Sequence, residues 1–233
     1  MANKKTPAAR DLIIKLLEEK STLKQDIFHN LIARFAEFQT QLKDTADDLS
    51  GHMKKVDKRV LVEYKDKGEF ESELRVAGDL LIFHMHTNIF EFDKGHPLWK
   101  TSYIKDNPKN SYCGMIVVYN FLADSFKFNR VNDVGYMVAR IFINKDNHYF
   151  VEGKRQMGFL YNDFSNGVMD TGSIKKVVES IILYSLDFDL LTPPFDSVKE
   201  VSVMEIQETA NAMQIKTGKR LGFRFQADSD QIE

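Results

Sequence analysis

The fold turns on residues 58–86, KRVLVEYKDKGEFESELRVAGDLLIFHMH, where a helical apolar period gives way to an alternating one. Val60, Val62 and Tyr64 share one side of a strand, and Asp66-Lys67-Gly68 supplies turn residues. Phe70, Leu74 and Val76 then alternate with Glu71, Glu73 and Arg75, the pattern of a half-buried strand with a charged outer face. Ala77-Gly78-Asp79 turns the chain again, and Leu80–His86 continues the meander toward Phe92. These connections are far shorter than a parallel crossover, so the strands are antiparallel.

Downstream, further strands are predicted at Tyr112–Phe121, Ser125–Arg130, Tyr136–Asn144, His148–Glu152, Arg155–Phe164 and Lys219–Ala227. The loop Asp93–Ser111 carries Pro97 and Pro108 and is long enough for a lid, an interface loop or a disordered segment. Ser173–Leu186 is helical, with Ile174, Val177, Val178, Ile181 and Ile182 on one face, and Pro193-Pro194 stops it. Residues 197–213 fit helix and strand equally. Lys199–Ile206 alternates, yet Val203, Ile206, Ala210 and Met213 fall at helical spacing. Gly153–Phe159 echoes Gly218–Phe223, which two hairpins of similar turn chemistry explain.

Upstream, Thr6-Pro7 is a natural helix start, and Leu12, Ile13, Leu16 and Leu17 make one apolar face. Ser21-Thr22 reads as an interruption, with Thr22 and Gln25 spaced as a capping box. A second helix runs to about Ser50, where Gly51 ends it. Its stripe is Leu23, Ile27, Leu31, Phe35, Phe38, Leu42, Ala46 and Leu49, widened by Phe28 and Ile32. Those seven steps average about 3.7 residues, so the stripe suits packing on a sheet better than a left-handed coiled-coil seam of 3.5. At about 1.5 Å per residue this helix spans roughly 43 Å, the full width of a compact chain of this size.

The predicted fold is therefore α+β: an antiparallel sheet of about seven to nine strands, an N-terminal helical hairpin and one later helix. Residues 1–55 form the hairpin, an appendage or oligomerisation element; residues 56–227 form the α+β domain; residues 228–233 are a loose tail.

Composition narrows the class. Apolar residues are 43% and charged residues 28%, as in ordinary globular chains. A net charge of −2 gives no support to nucleic-acid or membrane-surface binding. No apolar run reaches the roughly 18 residues of a membrane span, and MANKKTPAAR, followed by a broken apolar stretch, does not read as a secretory signal. A single cysteine, Cys113, fits a reducing, cytoplasmic setting and, within an apolar strand, is a poor nucleophile. No Gly-x-Ser-x-Gly elbow is present, Thr217-Gly218-Lys219 lacks the upstream phosphate-loop glycine, and Lys54, Lys55, Lys58 and Arg59 read as a solvated helix end.

His84-Met85-His86 is the strongest chemical signal, because residues two apart on a strand project to one face and can share an ion. Gly78, His84, His86 and Glu91 stand at the spacing G-x5-H-x-H-x4-E, which resembles the first metal-binding motif of the cupin family. The closing glycine falls early, at Gly95, and the family's second motif is absent. The resemblance implies a divalent metal held by His84, His86 and Glu91, with His96 or His148 completing the set, and a metal-dependent enzyme. The leading expectation is different. Eighteen Phe and eight Tyr are many for this length; core packing accounts for most of them, and a sheet with more large rings than its core needs can hold a small ligand or a protein segment on an aromatic face. Tyr119, Tyr136 and Trp99 are the candidate ligand contacts. The chain then acts as a non-enzymatic intracellular binding or interaction protein, a sensor or regulatory module, that associates with itself or a partner through its N-terminal helices.

Overall fold

The computed structural model describes residues 8–131, 133–154, 157–188, 192, 194–204, 206 and 207. Its frame is a seven-stranded, wholly antiparallel sheet: β1 (Val62–Asp66), β2 (Glu71–Val76), β3 (Asp79–Met85), β4 (Phe90–Glu91), β5 (Tyr112–Leu122), β6 (Tyr136–Asn144) and β7 (Tyr149–Gly153). The order across the sheet is β1-β2-β3-β5-β6-β7, and β4 pairs with β5 beyond the end of β3, at Cys113 and Tyr112. The α+β class and the meander of residues 60–86 are as the sequence reads. Both turns are where expected: Gly68 takes φ +105° with its N–H on the Asp66 carboxylate at 2.8 Å, and Ala77-Gly78 joins β2 to β3 with Ala77 at φ 54°.

The N-terminus is one helix rather than a hairpin. α1 (Ala9–Leu16) passes through a π-helical turn, Leu17–Ser21, straight into α2 (Thr22–Val56). Ser21 keeps helical angles, and the Thr22 hydroxyl donates back to the Leu17 carbonyl, five residues earlier, at 3.3 Å. A hydroxyl that bonds back along the helix does not break it, and the five-residue reach is that of the π-turn. Gly51 does not end the helix either. It continues to Val56, where Lys54 and Lys55 complement the C-terminal dipole and Asp57 leaves helical angles.

One face of the sheet is covered by α2 and by α6 (Thr171–Leu186). Of the expected stripe, Leu23, Ile27, Leu31, Phe35, Phe38, Leu42 and Ala46 are buried, and Leu49 is half-buried against the same core. From Leu31 onward the stripe meets Leu74, Val76, Leu81, Phe83, Met85, Ile116, Val118 and Ile141. On α6, Ile174, Val177, Val178, Ile181 and Ile182 join the same core, and Asp170 caps the helix by accepting from the Ser173 N–H at 2.7 Å. Each such buried Leu, Ile or Phe contributes about 1.5–3 kcal/mol. α2 lies so close that a Cβ on Gly114 of β5 would sit 2.6 Å from Leu31 Cδ2.

The opposite face divides in two. Residues 93–111, read as a loop, hold two 3-10 turns (Pro97–Lys100 and Pro108–Ser111) and α3 (Ser102–Asp106). They pack Leu98 and Ile104 on Cys113, Phe142 and Phe164, closing one end of this face. At the other end the chain leaves β5 into α4 (Ala123–Lys127), where a strand at Ser125–Arg130 was expected. Phe126 and Phe128 do alternate there, but both are exposed, and Asn129 at φ 50° ends the turn. Within the expected strand Arg155–Phe164, the described residues instead form α5 (Met157–Leu160), with Met157 buried. α7 (Phe195–Val198) follows, and residues 203, 204, 206 and 207 are helical. The rest of 197–213 beyond 207, the strand expected at Lys219–Ala227 and the tail lie outside the described residues.

Candidate functional site

The helix-covered face of the sheet is fully used for the core, so a binding site on the sheet falls to the other face. There the strands present Glu63 and Lys65 from β1, Glu73 and Arg75 from β2, and Leu80 and Ile82 from β3, because the period of two sends their neighbours to the helices. α4 rises at the end of this surface and makes it concave. The resulting cleft has a volume of about 430 Å³ and is lined by Glu63, Lys65, Lys67, Glu73, Arg75, Leu80, Ala123, Phe126 and Lys127. Leu80 and Ala123 form an apolar floor. Phe126 stands as a half-exposed wall, braced edge-to-face on Phe121 at 5.3 Å between centroids.

The charges of the cleft are ordered by strand register. Cα partners Glu63 and Arg75 bring a guanidinium 3.9 Å from a carboxylate, and Arg75 Nε donates to the Ala77 carbonyl at 3.1 Å. Lys67 Nζ lies 2.9 Å from Glu73 Oε1, and that hydrogen bond raises the lysine pKa above its ordinary value. Glu73 is itself buried. Among the described residues neither Lys65 nor Lys127 has a carboxylate within ion-pair distance; Lys127 Nζ instead lies 5.2 Å from the Phe128 ring.

The candidate ligand contacts do not meet. Tyr119 is half-buried on the open face of β5, opposite Ile82. Tyr136 turns toward the helices, where its hydroxyl accepts from Asn120 Nδ2 at 2.9 Å and burial pushes its phenol pKa far up. Trp99 sits in the 93–111 segment, donating to the Phe92 carbonyl at 3.0 Å beneath the Lys94 ammonium, 3.4 Å from its ring. The sheet alternation separates Tyr119 from Tyr136, and the segment fold keeps Trp99 as packing.

The histidines are likewise dispersed. His84 Nδ1 lies 3.5 Å from Glu71 Oε2, while His86 Nδ1 accepts the Asn88 N–H at 3.0 Å and its ring meets Phe90 edge-on. Glu91 pairs with Lys94 at 2.9 Å, which lowers its pKa. His96 stacks on Phe92 with Nε2 3.6 Å from Glu152, and His148 stacks on Tyr103 at 4.6 Å. Among the described residues no group of three or more His, Cys, Asp or Glu side chains is placed to hold a metal ion. The basic cluster at the end of α2 is also partly spent, since Arg59 pairs with Asp57 at 2.6 Å.

Sequence reasoning missed the cleft because its residues lie on three strands and a short helix. The one legible signal is the charged face of residues 63–75, which alternation marks as the outer face of the sheet. No helix among the described residues is long and apolar enough to cross a membrane. The chain matches no protein-family model, no curated protein and no solved structure.

Proposed function

We propose that the chain is a non-enzymatic binding protein that holds a small ligand in the open-face cleft. The observation that carries this reading is the cleft itself. Its volume lies within the range of small-molecule sites, and it sets a few ordered polar groups over an apolar floor. Its ionisable side chains are mostly tied in pairs, an arrangement suited to orienting a ligand rather than to shuttling protons. A cytoplasmic setting is part of the reading, supported by a lone, buried and unbridged Cys113. The metal-dependent alternative has no gathered ligand set among the described residues on which to stand.

The test is amide chemical-shift mapping of the full chain titrated with N-phenyl-1-naphthylamine, a neutral aromatic probe. The expected shifts fall on residues 63–67, 73–80 and 121–127, and replacing Phe126 with alanine weakens binding. Shifts confined elsewhere, or binding indifferent to Phe126, would remove the reading.

A second proposal rests on a separate observation. Residues 9–21 bury nothing, and Leu12, Ile13, Leu16 and Leu17 stand at least 45% exposed on a helix that projects beyond the core. Self-association of two chains through this apolar stripe covers it. Sedimentation equilibrium should give a dimer that reverts to monomer when residues 1–16 are deleted. A monomer at every concentration for the intact chain would refute it.

A further inference from the structure

The composition of the cleft defines what it takes. Four of its nine lining side chains are cationic (Lys65, Lys67, Arg75 and Lys127) and two are carboxylates, an excess of two positive charges in a chain whose net charge is −2. The two carboxylates are each engaged by one cation: Glu73 by Lys67, and Glu63, more loosely, by Arg75. Lys65 on β1 and Lys127 on α4 are the surplus. They come from different elements that line the same cleft, with the Leu80–Ala123 floor among the lining residues and Phe126 as the aromatic wall.

From this juxtaposition we infer that the cleft binds an amphipathic organic anion: an aromatic or aliphatic body bearing one carboxylate, sulfonate or phosphate group. This rests on the reading of the cleft as the binding site and adds the ligand class to it. The body covers Leu80 and packs on the Phe126 ring, and the anionic group meets Lys65 and Lys127. Neither ammonium has to give up a protein carboxylate for it, so the new contacts are not offset by a broken ion pair. Glu63 and Glu73 bound the anionic position and disfavour a second negative charge deep in the cleft. The contribution of each lysine is that of a half-solvated ion pair, modest singly and screened by salt.

Two probes with the same anilinonaphthalene body separate the ligand class from the site. 8-Anilinonaphthalene-1-sulfonate carries the anion and N-phenyl-1-naphthylamine lacks it; each is titrated by fluorescence into the intact protein at low salt. The sulfonate is expected to bind about tenfold more tightly. Lys65→Gln with Lys127→Gln should erase that preference while leaving the neutral probe unchanged, and Glu63→Gln should strengthen sulfonate binding while leaving the neutral probe unchanged, a selective gain that the apolar surface exposed by misfolding, which takes up both probes, does not produce. Equal affinity for the two probes, with both still weakened by Phe126→Ala, overturns the anionic class and leaves the cleft standing. Binding of both probes that ignores Phe126 and both lysines, or no binding at all, overturns the class and the site together.

Discussion

Adding one methyl group at Gly114 tests the contact that fixes which face of the sheet stays open. Gly114 lies in β5 beneath α2, and an alanine Cβ there would sit 2.6 Å from Leu31 Cδ2, 3.1 Å from Cγ and 3.2 Å from Cβ. A change of rotamer can carry the Leu31 methyl away but not its Cβ, so the helix itself has to give by several tenths of an ångström. Overpacking of this kind costs about 1–3 kcal/mol. Loss of glycine's unfolded-state freedom returns about 0.4–1 kcal/mol. The net expectation for Gly114→Ala is therefore about 1–2 kcal/mol of destabilisation. In a chain of this size that lowers Tm by about 2–8 °C.

The single variant alone does not identify the partner; a double-mutant cycle does. Leu31 is fully buried, so Leu31→Ala should cost about 2–5 kcal/mol through lost contact and the cavity it leaves. In the double variant the new methyl occupies part of the vacated space and meets no clash, so the combined cost falls below the sum of the single costs by about 1–2 kcal/mol. Guanidinium unfolding followed by far-ultraviolet circular dichroism measures all four proteins. Additivity within about 0.5 kcal/mol would mean that the two residues are not in contact. It would refute the packing of α2 on β5, and with it the assignment of the open face.

Four further outcomes follow from particular contacts. Ala77 holds φ 54° in the two-residue β2–β3 turn while Gly78 does not share the positive φ of a type I′ turn, so Ala77→Gly, which puts glycine at the first central position, should stabilise by up to about 1 kcal/mol in the same denaturation assay. The Ser173 amide, donating to the Asp170 carboxylate, depresses that carboxyl's pKa. Asp170→Ala should then cost about 1 kcal/mol at neutral pH, and the difference should shrink as pH falls from about 4 through the lowered pKa, because the cap is fully present only above the unfolded value. Burial raises the Cys113 thiol pKa well above normal, so 5,5′-dithiobis(2-nitrobenzoate) should react with it only after denaturant is added; prompt reaction of the native protein would contradict its place beneath the 93–111 segment. Lys67→Met leaves the Glu73 carboxylate buried without its cation and should cost about 1–3 kcal/mol by chemical denaturation, whereas Lys67→Met with Glu73→Leu should recover that loss.

Period was the most legible property of the chain. The stripe from Leu23 to Ala46 reports which side chains must leave water, and burial follows it; the alternation from Val62 to Met85 assigns Leu74, Val76, Leu81 and Phe83 to the helix side, although Glu73, Leu80 and Ile82 on the other side are buried as well. Punctuation was less legible. Ser21-Thr22 and Gly51 carry the local chemistry of helix ends, yet Ser21 keeps helical angles, the Thr22 hydroxyl bonds back to the Leu17 carbonyl, and beyond Gly51 the helix still packs Met53 on the core. Phe126 and Phe128 failed in the opposite sense: they alternate without being buried, because Leu122 had already ended the strand and Asn129 turns the chain. The same limit hid the site. His84 and His86 are neighbours in sequence, whereas Lys65 and Lys127 are 62 residues apart and line one cleft only because α4 follows β5 back beside the start of β3.

A single strand pair shows how one sequence serves both faces. In β2, Ser72, Leu74 and Val76 are buried on the helix side, while Glu73, one position along, is buried on the other. Burying a carboxylate costs free energy that a leucine at the same position would not, and the helix-side core is complete without it. What Glu73 provides is position. It fixes Lys67 at the rim, as Glu63 steadies Arg75, which leaves Lys65 and Lys127 as cleft cations with no carboxylate in ion-pair distance among the described residues. Stability alone would favour a plain apolar or fully solvated outer face at this end of the sheet. The arrangement present is neither: an apolar floor, one aromatic wall, two anchored ion pairs and two spare ammonium groups. The half-exposed Phe126 and the two cleft ammonium groups without an ion-pair carboxylate among the described residues are the features that stability does not require, and they are the ones the proposed amphipathic anion would use.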